Sequence, residues 1–436
     1  MKSEMTIEER LKASLICTAV GDALGAGVEN WKLNEILAKF PEGVTEYTRT
    51  PRPNKPSTNG NPGDVTDDTA MTACILSGIN KTLAQINDIH NTPYLLKTHA
   101  ANFSFRGGEE ELNKNPRQVH IDALLRNMFN AFLYWGKSQT TYSKVSGKDI
   151  ATPDTNWDKL PAFNDTFGAG DGTIKILKQN KMGTLEHLTE KAPEDIEPGK
   201  SKYPEGCGAL MRVGPVGIFC AYFPEFDAFN LGARSGAITH GDATSYIAAG
   251  IWAELIASVI KENISIEEAV TSSIDLTKLR CKVEANAEKR AGYDNCLKAI
   301  DIAVKYANNA SLLSNHETVN ALGKECGARS LFASAPVLAQ ALYAALVHEK
   351  YGISTDKALS IAVTQDGDSD SVAAVAGSLI GASKGYSALP SEKLINGLNS
   401  NHRAALKAMS EEFVKSAEIT KAKGALNLQT PEMAKF

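Results

Sequence analysis

At 436 residues the chain is long enough for one large domain or two ordinary ones, and an apolar share of 43% supports a sizeable core and excludes wholesale disorder. Its 46 basic and 51 acidic residues leave a net charge of −5, which argues against a protein built around nucleic-acid binding. No apolar run approaches the roughly 18–20 residues that cross a bilayer, and the N-terminus turns acidic at Glu8 and Glu9 before any apolar stretch, unlike a signal peptide.

Helical periodicity dominates, and alternating strand patterns are hard to find. Thr6 and Glu9 have capping-box spacing ahead of Leu11, Leu15, Ile16 and Val20. That first helix closes on Gly21-Asp22-Ala23-Leu24-Gly25-Ala26-Gly27-Val28-Glu29. Its glycines permit close approach of a backbone or a ligand. Asp22, inside an apolar stretch, needs a partner; Glu29 either serves a site or lies exposed beyond a helix end. Residues 48–65, rich in Pro, Asn and Gly, read as loop. A helix follows over Asp68–Ser77, with Met71, Cys74 and Ile75 on one face and Gly78 as its stop.

The stretch 84–118, with Phe103, Arg106, Gly107 and Gly108, reads as an insertion within a single domain spanning 1–436. Residues 136–172 and 188–205 are polar and turn-rich. Further helices are expected over Thr244–Lys261, over Ser334–Tyr351 with Gly352 as terminator, and over Ser371–Ala382. The last is rich in Ala and Gly and suited to close helix contact. The expectation is an all-α fold with no sustained heptad. Seven cysteines without a Cys-x-x-Cys pair suggest buried, reduced thiols in a cytoplasmic protein.

Two acidic clusters stand where loops open into apolar helices: Asp64-Val65-Thr66-Asp67-Asp68-Thr69 and Asp366-Gly367-Asp368-Ser369-Asp370-Ser371. Helix capping would use one such residue per helix. Three carboxylates within five residues repel one another unless a cation sits among them. Carboxylate and hydroxyl oxygens suit Mg²⁺, Mn²⁺ or Ca²⁺. An EF-hand is excluded, because a helix starts at once and no terminal Glu closes a twelve-residue loop. Two half-sites brought together would make a two-metal centre; capping remains the structural alternative.

Glu205-Gly206-Cys207-Gly208-Ala209-Leu210-Met211-Arg212 reads as a Gly-rich loop opening a helix, which suits a phosphate. It is neither a P-loop nor a dinucleotide fingerprint. Thr239-His240-Gly241-Asp242 puts His240 at a helix start, where a structural role is the ordinary one.

In this order these five features resemble the ADP-ribosylglycohydrolase family over residues 10–385. Gly21–Gly25 resembles the end of that family's first helix. Thr66-Asp67-Asp68-Thr69 and Asp368-Ser369-Asp370-Ser371-Val372-Ala373-Ala374 resemble its two metal motifs. Met211-Arg212 and Thr239-His240 fall where it has the same pairs. Gly206-Cys207-Gly208-Ala209-Leu210-Met211-Arg212 and the Asp-Ser-Asp-Ser wording are closest to ADP-ribosylarginine hydrolases. One departure is Asp366-Gly367, where the family usually has Gly-Gly. The extra carboxylate either tunes metal affinity or faces solvent.

The resemblance implies a central cleft with two Mg²⁺ (or Mn²⁺), held by Thr66, Asp67 and Asp68 on one side and Asp368, Asp370 and Ser371 on the other. Asp370 is expected to bridge, and Glu29 and Asp368 are the expected catalytic residues, Glu29 orienting or deprotonating the attacking water. It implies Gly206, Cys207 and Gly208 at the diphosphate, with His240 and Phe332 as substrate contacts, Phe332 under the adenine. Asp165 is a candidate leaving-group acid. The implied activity is hydrolysis of the bond between ADP-ribose and protein arginine. Two alternatives are another linkage, such as ADP-ribosylserine or O-acetyl-ADP-ribose, and an immunity protein that sequesters an ADP-ribosyltransferase toxin through 48–65 and 84–118. Neither membrane nor nucleic acid is an expected partner.

Overall fold

The computed structural model describes residues 5–49, 60–91, 116–139, 146–152, 157–196, 201–309, 316–328, 330–424 and 426. The chain is all-α, with 16 α-helices and no strand among the described residues. The first eight are α1 (Ile7–Gly25), α2 (Leu33–Lys39), α3 (Asp67–Asn91), α4 (Pro116–Ser138), α5 (Asp171–Lys178), α6 (Gly214–Tyr222), α7 (Ala228–Ala237) and α8 (Ala243–Lys261). The remainder are α9 (Ile266–Val283), α10 (Ala287–Ala307), α11 (Glu317–Glu325), α12 (Ser334–Tyr351), α13 (Thr355–Val363), α14 (Ser369–Lys384), α15 (Glu392–Gly397) and α16 (Ser400–Ala422). Residues 50–59 and 92–115, which hold most of the expected first loop and of the expected insertion with Phe103, Arg106, Gly107 and Gly108, lie outside the described residues.

The termini of several helices follow local chemistry. The Thr6 hydroxyl accepts from the Glu9 N–H at 3.1 Å and the Glu9 carboxylate from the Thr6 N–H at 2.7 Å, the reciprocal box that starts α1. Gly352, at φ +61, ends α12. Gly78 does not end α3, which runs on to Asn91. A Cβ there would lie 2.6 Å from the Met128 nitrogen of α4, so this glycine serves a close helix crossing. One expectation about composition also changes. The 19-residue α8 is long and apolar enough to cross a bilayer, although Ser, Thr and Glu interrupt its apolar run. It is mostly buried among its neighbours, and Trp252 donates to the Ser378 hydroxyl of α14 at 2.9 Å.

The centre of the fold is the antiparallel pair α1 and α14. Gly21 faces Ala373, Gly25 faces Asp370, Gly377 faces Cys17 and Gly381 faces Ala13. At each of these glycines a Cβ would come within 2.5 Å of the opposing backbone. Glycines four residues apart on both helices therefore let the backbones touch. At one end, Arg10 donates to the carbonyls of Ala382 at 2.9 Å and Ser383 at 3.2 Å, satisfying the last turn of α14. At the other end, the C-terminus of α1 meets the N-terminus of α14. That junction brings the Asp22–Glu29 segment beside the second acidic motif.

Candidate metal centre and substrate cleft

Asp22 is fully buried, and its carboxylate answers the need for a partner that the sequence raised. It accepts from the Thr66 N–H at 3.0 Å and hydroxyl at 2.8 Å, and from the Thr69 N–H at 3.0 Å and hydroxyl at 2.5 Å. The residue from α1 therefore supplies the anion at the start of α3 and fixes the Thr66–Thr69 segment. Asp68 Oδ2 lies 3.2 Å from the Thr66 hydroxyl oxygen, while its buried Oδ1 has no hydrogen-bond partner. Asp67 is buried against the 167–168 turn. Its N–H donates to the Phe167 carbonyl at 2.7 Å, and Gly168 (φ +96) packs so close that a Cβ would lie 2.5 Å from Asp67 Oδ1.

The two motifs meet across the α1–α14 junction. One oxygen each of Asp22, Asp68 and Asp370 lie within 4.8 Å of one another, as do oxygens of Glu29, Asp368 and Asp370. Asp370 belongs to both groups. The Ser371 N–H donates to Asp370 Oδ1 at 3.0 Å. The Cys207 thiol lies 3.0 Å from Asp368 Oδ2 and 3.4 Å from the Ser371 hydroxyl. The structure thus brings together all six residues of the expected metal set, and places Asp22 and Glu29 with them. Asp67 lies beside the groups and in neither.

Burial raises every carboxyl of this cluster above its ordinary range. Asp22 is pushed up to about 6; Glu29, by burial and then by the charge of Asp368, to about 8. Asp67, Asp68 and Asp370 are raised well above the usual range by burial and then by neighbouring carboxylates, and Asp368 is raised by burial. Among the described residues none of these six acids forms an ion pair. Five buried carboxyls and the half-buried Glu29, without a counter-charge, cannot all ionise. Converging oxygens with an unpartnered Asp68 Oδ1 among them fit hard divalent cations, and capping uses only Asp22 of the set.

Asp366 does not face solvent. Its Oδ1 accepts the Leu33 N–H at the start of α2 at 2.7 Å, and its Oδ2 pairs with Lys324 at 3.1 Å. Burial opposes ionisation of this carboxyl, but those contacts hold it below the usual range. It ties the loop after Glu29 to the second motif.

The acidic cluster forms part of the wall of a cleft of about 860 Å³. All five expected substrate contacts, Gly206, Cys207, Gly208, His240 and Phe332, line it. The Gly-rich segment differs from expectation. Cys207–Ala209 is a single 3-10 turn, and α6 starts only at Gly214. The Cys207 N–H donates to the Phe332 carbonyl at 3.1 Å, so one group expected to face a phosphate is used within the protein. The Gly206 carbonyl accepts the hydroxyls of Ser334 at 3.0 Å and Ser245 at 3.2 Å, which anchors the turn to α12 and α8. His240 lies between α7 and α8, and Asp242 caps α8. Asp165 is exposed and outside the cleft lining, which removes it as the leaving-group acid. Thr173 and Asn295 also line the cleft. Neither carries a local sequence signal, because each reaches the wall only through helix packing.

No curated protein matches the chain by sequence. The structure of an ADP-ribosylglycohydrolase-related protein complex is similar to it with a TM-score of 0.52, at 20% identity, over 94% of this chain and 99% of that one. This likeness speaks to the fold. The sequence itself matches the ADP-ribosylglycohydrolase family over residues 3–422. That match spans both acidic motifs, the Cys207 turn and the helices that join them; the chain belongs to the ADP-ribosylglycohydrolase family, glycosidases that hydrolyse ADP-ribose linkages.

Proposed function

We propose that this protein is a divalent-metal-dependent hydrolase that releases ADP-ribose from the arginine side chains of modified proteins. The observation that carries the reading is the pair of acidic groups sharing Asp370 at the wall of the cleft. Thr66, Asp67 and Asp68 would hold one Mg²⁺ (or Mn²⁺), and Asp368 and Ser371 the other, with Asp370 common to both. Bound there, the ions supply positive charge for gripping the hydroxyls of the distal ribose. Asp22 keeps Thr66 in place from behind. Glu29, half-buried in the cleft wall, accepts the proton of the water that adds to the anomeric carbon as the carbon–nitrogen bond breaks. The guanidine nitrogen takes up that proton and leaves. Gly206–Gly208 and His240 line the region read as the diphosphate site, and Phe332 the adenine end.

The arginine linkage is favoured by the Gly-Cys-Gly-Ala-Leu-Met-Arg wording of 206–212 and the Asp-Ser-Asp-Ser wording of 368–371. Most of 48–65 and of 84–118, on which toxin sequestration rested, lies outside the described residues, and nothing in the described surface favours it. The test is release of free ADP-ribose from an arginine-ADP-ribosylated protein, with and without Mg²⁺, beside a serine-linked control. Metal-dependent release from arginine alone is expected. Release from serine alone would keep the metal centre and discard the linkage; no release from either would discard ADP-ribosylated protein as the substrate.

A further inference from the structure

Arg212 is fully buried, with its guanidinium 4.3 Å from the centre of the Phe132 ring. Its Nη2 donates to the Ser235 carbonyl at 3.1 Å and to the Thr239 hydroxyl at 2.9 Å. The same hydroxyl lies 2.9 Å from Nδ1 of His240, and Thr239 is itself fully buried. A guanidinium carries donors only, so the Thr239 oxygen accepts from Arg212 and its one proton is left to donate. Among the described residues, His240 Nδ1 is the acceptor within reach of it. If Nδ1 carried the proton instead, both lone pairs of the Thr239 oxygen would be filled and its O–H would be buried without an acceptor.

The other edge of the ring faces the Gly206–Gly208 turn. A Cβ at Gly208 would lie 2.8 Å from His240 Cε1 and 3.0 Å from Nε2, so only a glycine fits beside that edge of a ring that is 3% exposed. Both residues line the cleft. We propose that Arg212 and Thr239 are positioning residues that lock His240 in the neutral tautomer with its proton on Nε2, and that this Nε2–H is a fixed donor to an oxygen of the substrate's diphosphate. The assignment of that acceptor rests on reading the cleft as an ADP-ribose site. Burial, and then the neighbouring charge of Arg212, hold His240 down at about 3, so the ring stays neutral under working conditions. A neutral ring has one donor and one acceptor, and Thr239 decides which nitrogen is which.

The experiment is a long-range proton–nitrogen correlation spectrum of the full chain labelled with ¹⁵N-histidine. The chain has 8 histidines, and the signal missing from His240→Gln identifies the ring. The expected spectrum shows Nε2 protonated and Nδ1 bare. Thr239→Val removes the donor to Nδ1; mixed tautomers are expected, with a dissociation constant for free ADP-ribose raised about tenfold by calorimetry. Thr239→Ser keeps the hydroxyl and is expected to preserve both. A wild-type ring protonated on Nδ1, or on both nitrogens, overturns the lock. So does a Thr239→Val protein whose tautomer is unchanged. A shifted tautomer with unchanged affinity overturns the contact with the diphosphate. The expected wild-type spectrum, in a protein that binds no ADP-ribose with or without Mg²⁺, upholds the lock and overturns the reading of the cleft.

Discussion

Asp68 Oδ1, buried with no hydrogen-bond partner, has lone pairs that a cation could take. Asp67→Ala and Asp368→Ala are each expected to lower ADP-ribose release at least about 100-fold under saturating Mg²⁺, because metal-centred charge stabilisation is lost. Their melting temperatures should change little, since each removes one of several mutually repelling carboxyls. Full activity of either variant would sink the metal assignment. Asp366→Gly restores the family's usual residue and removes the contacts with Leu33 N–H and Lys324. Loss of this cap should cost about 1 kcal/mol in a urea titration. His240 offers a test in pH. Its folded value of about 3 lies below the 6.5 of an unfolded histidine. The unfolded state therefore binds the extra proton as pH falls below about 6.5, and folding stability is lost in that direction. Relative to His240→Gln, the wild type should lose up to about 1.4 kcal/mol per pH unit between those values. A stability difference independent of pH would contradict the neutral, buried ring.

At the scale of elements, the contact between α1 and α14 decides whether a site exists at all. Asp22 comes from the last turn of one helix and Glu29 from the turn just after it; Asp368, Asp370 and Ser371 come from the start of the other. Gly377 lies away from the acidic cluster, with room for a Cβ only 2.4 Å from the Cys17 carbonyl. Gly377→Ala must therefore push the helices apart or bend one, at a cost of about 1–3 kcal/mol. A drop in melting temperature is expected, with a parallel loss of Mg²⁺ affinity measured by calorimetry. A variant as stable as the wild type would show that the helices have slack. The small residues on both helices were legible in the sequence as contact surfaces. Their pairing was not, since nothing local says which helix meets which.

For the whole molecule, the proposed cation binding would be linked to folding, because helices far apart in the chain share one acidic cluster. Mg²⁺ at about 100 times its dissociation constant should stabilise the protein by roughly 2.7 kcal/mol, and EDTA should reverse this. The measurement is the melting temperature in EDTA, then with Mg²⁺ restored. Identical curves would mean that the clusters are only structural.

Local chemistry sufficed for much of this protein. The capping box of Thr6 and Glu9, the termination at Gly352 and the helical periods of α8 and α12 follow from residues within a turn or two. The acidic motifs and the cysteine turn were visible for the same reason, as short runs of unusual composition. Tertiary structure alone decided the rest. Gly78 reads locally as a stop, yet it is the crossing point of α3 and α4, because the constraint comes from Met128, fifty residues away. Asp366 reads as part of a metal motif, yet its carboxylate is claimed by Leu33 and Lys324. Asp165 reads as a nearby acid, yet it is exposed and outside the cleft lining. Asp22 announced only that it needed a partner; that the partner is the start of α3 depends on long-range packing, which no local pattern encodes.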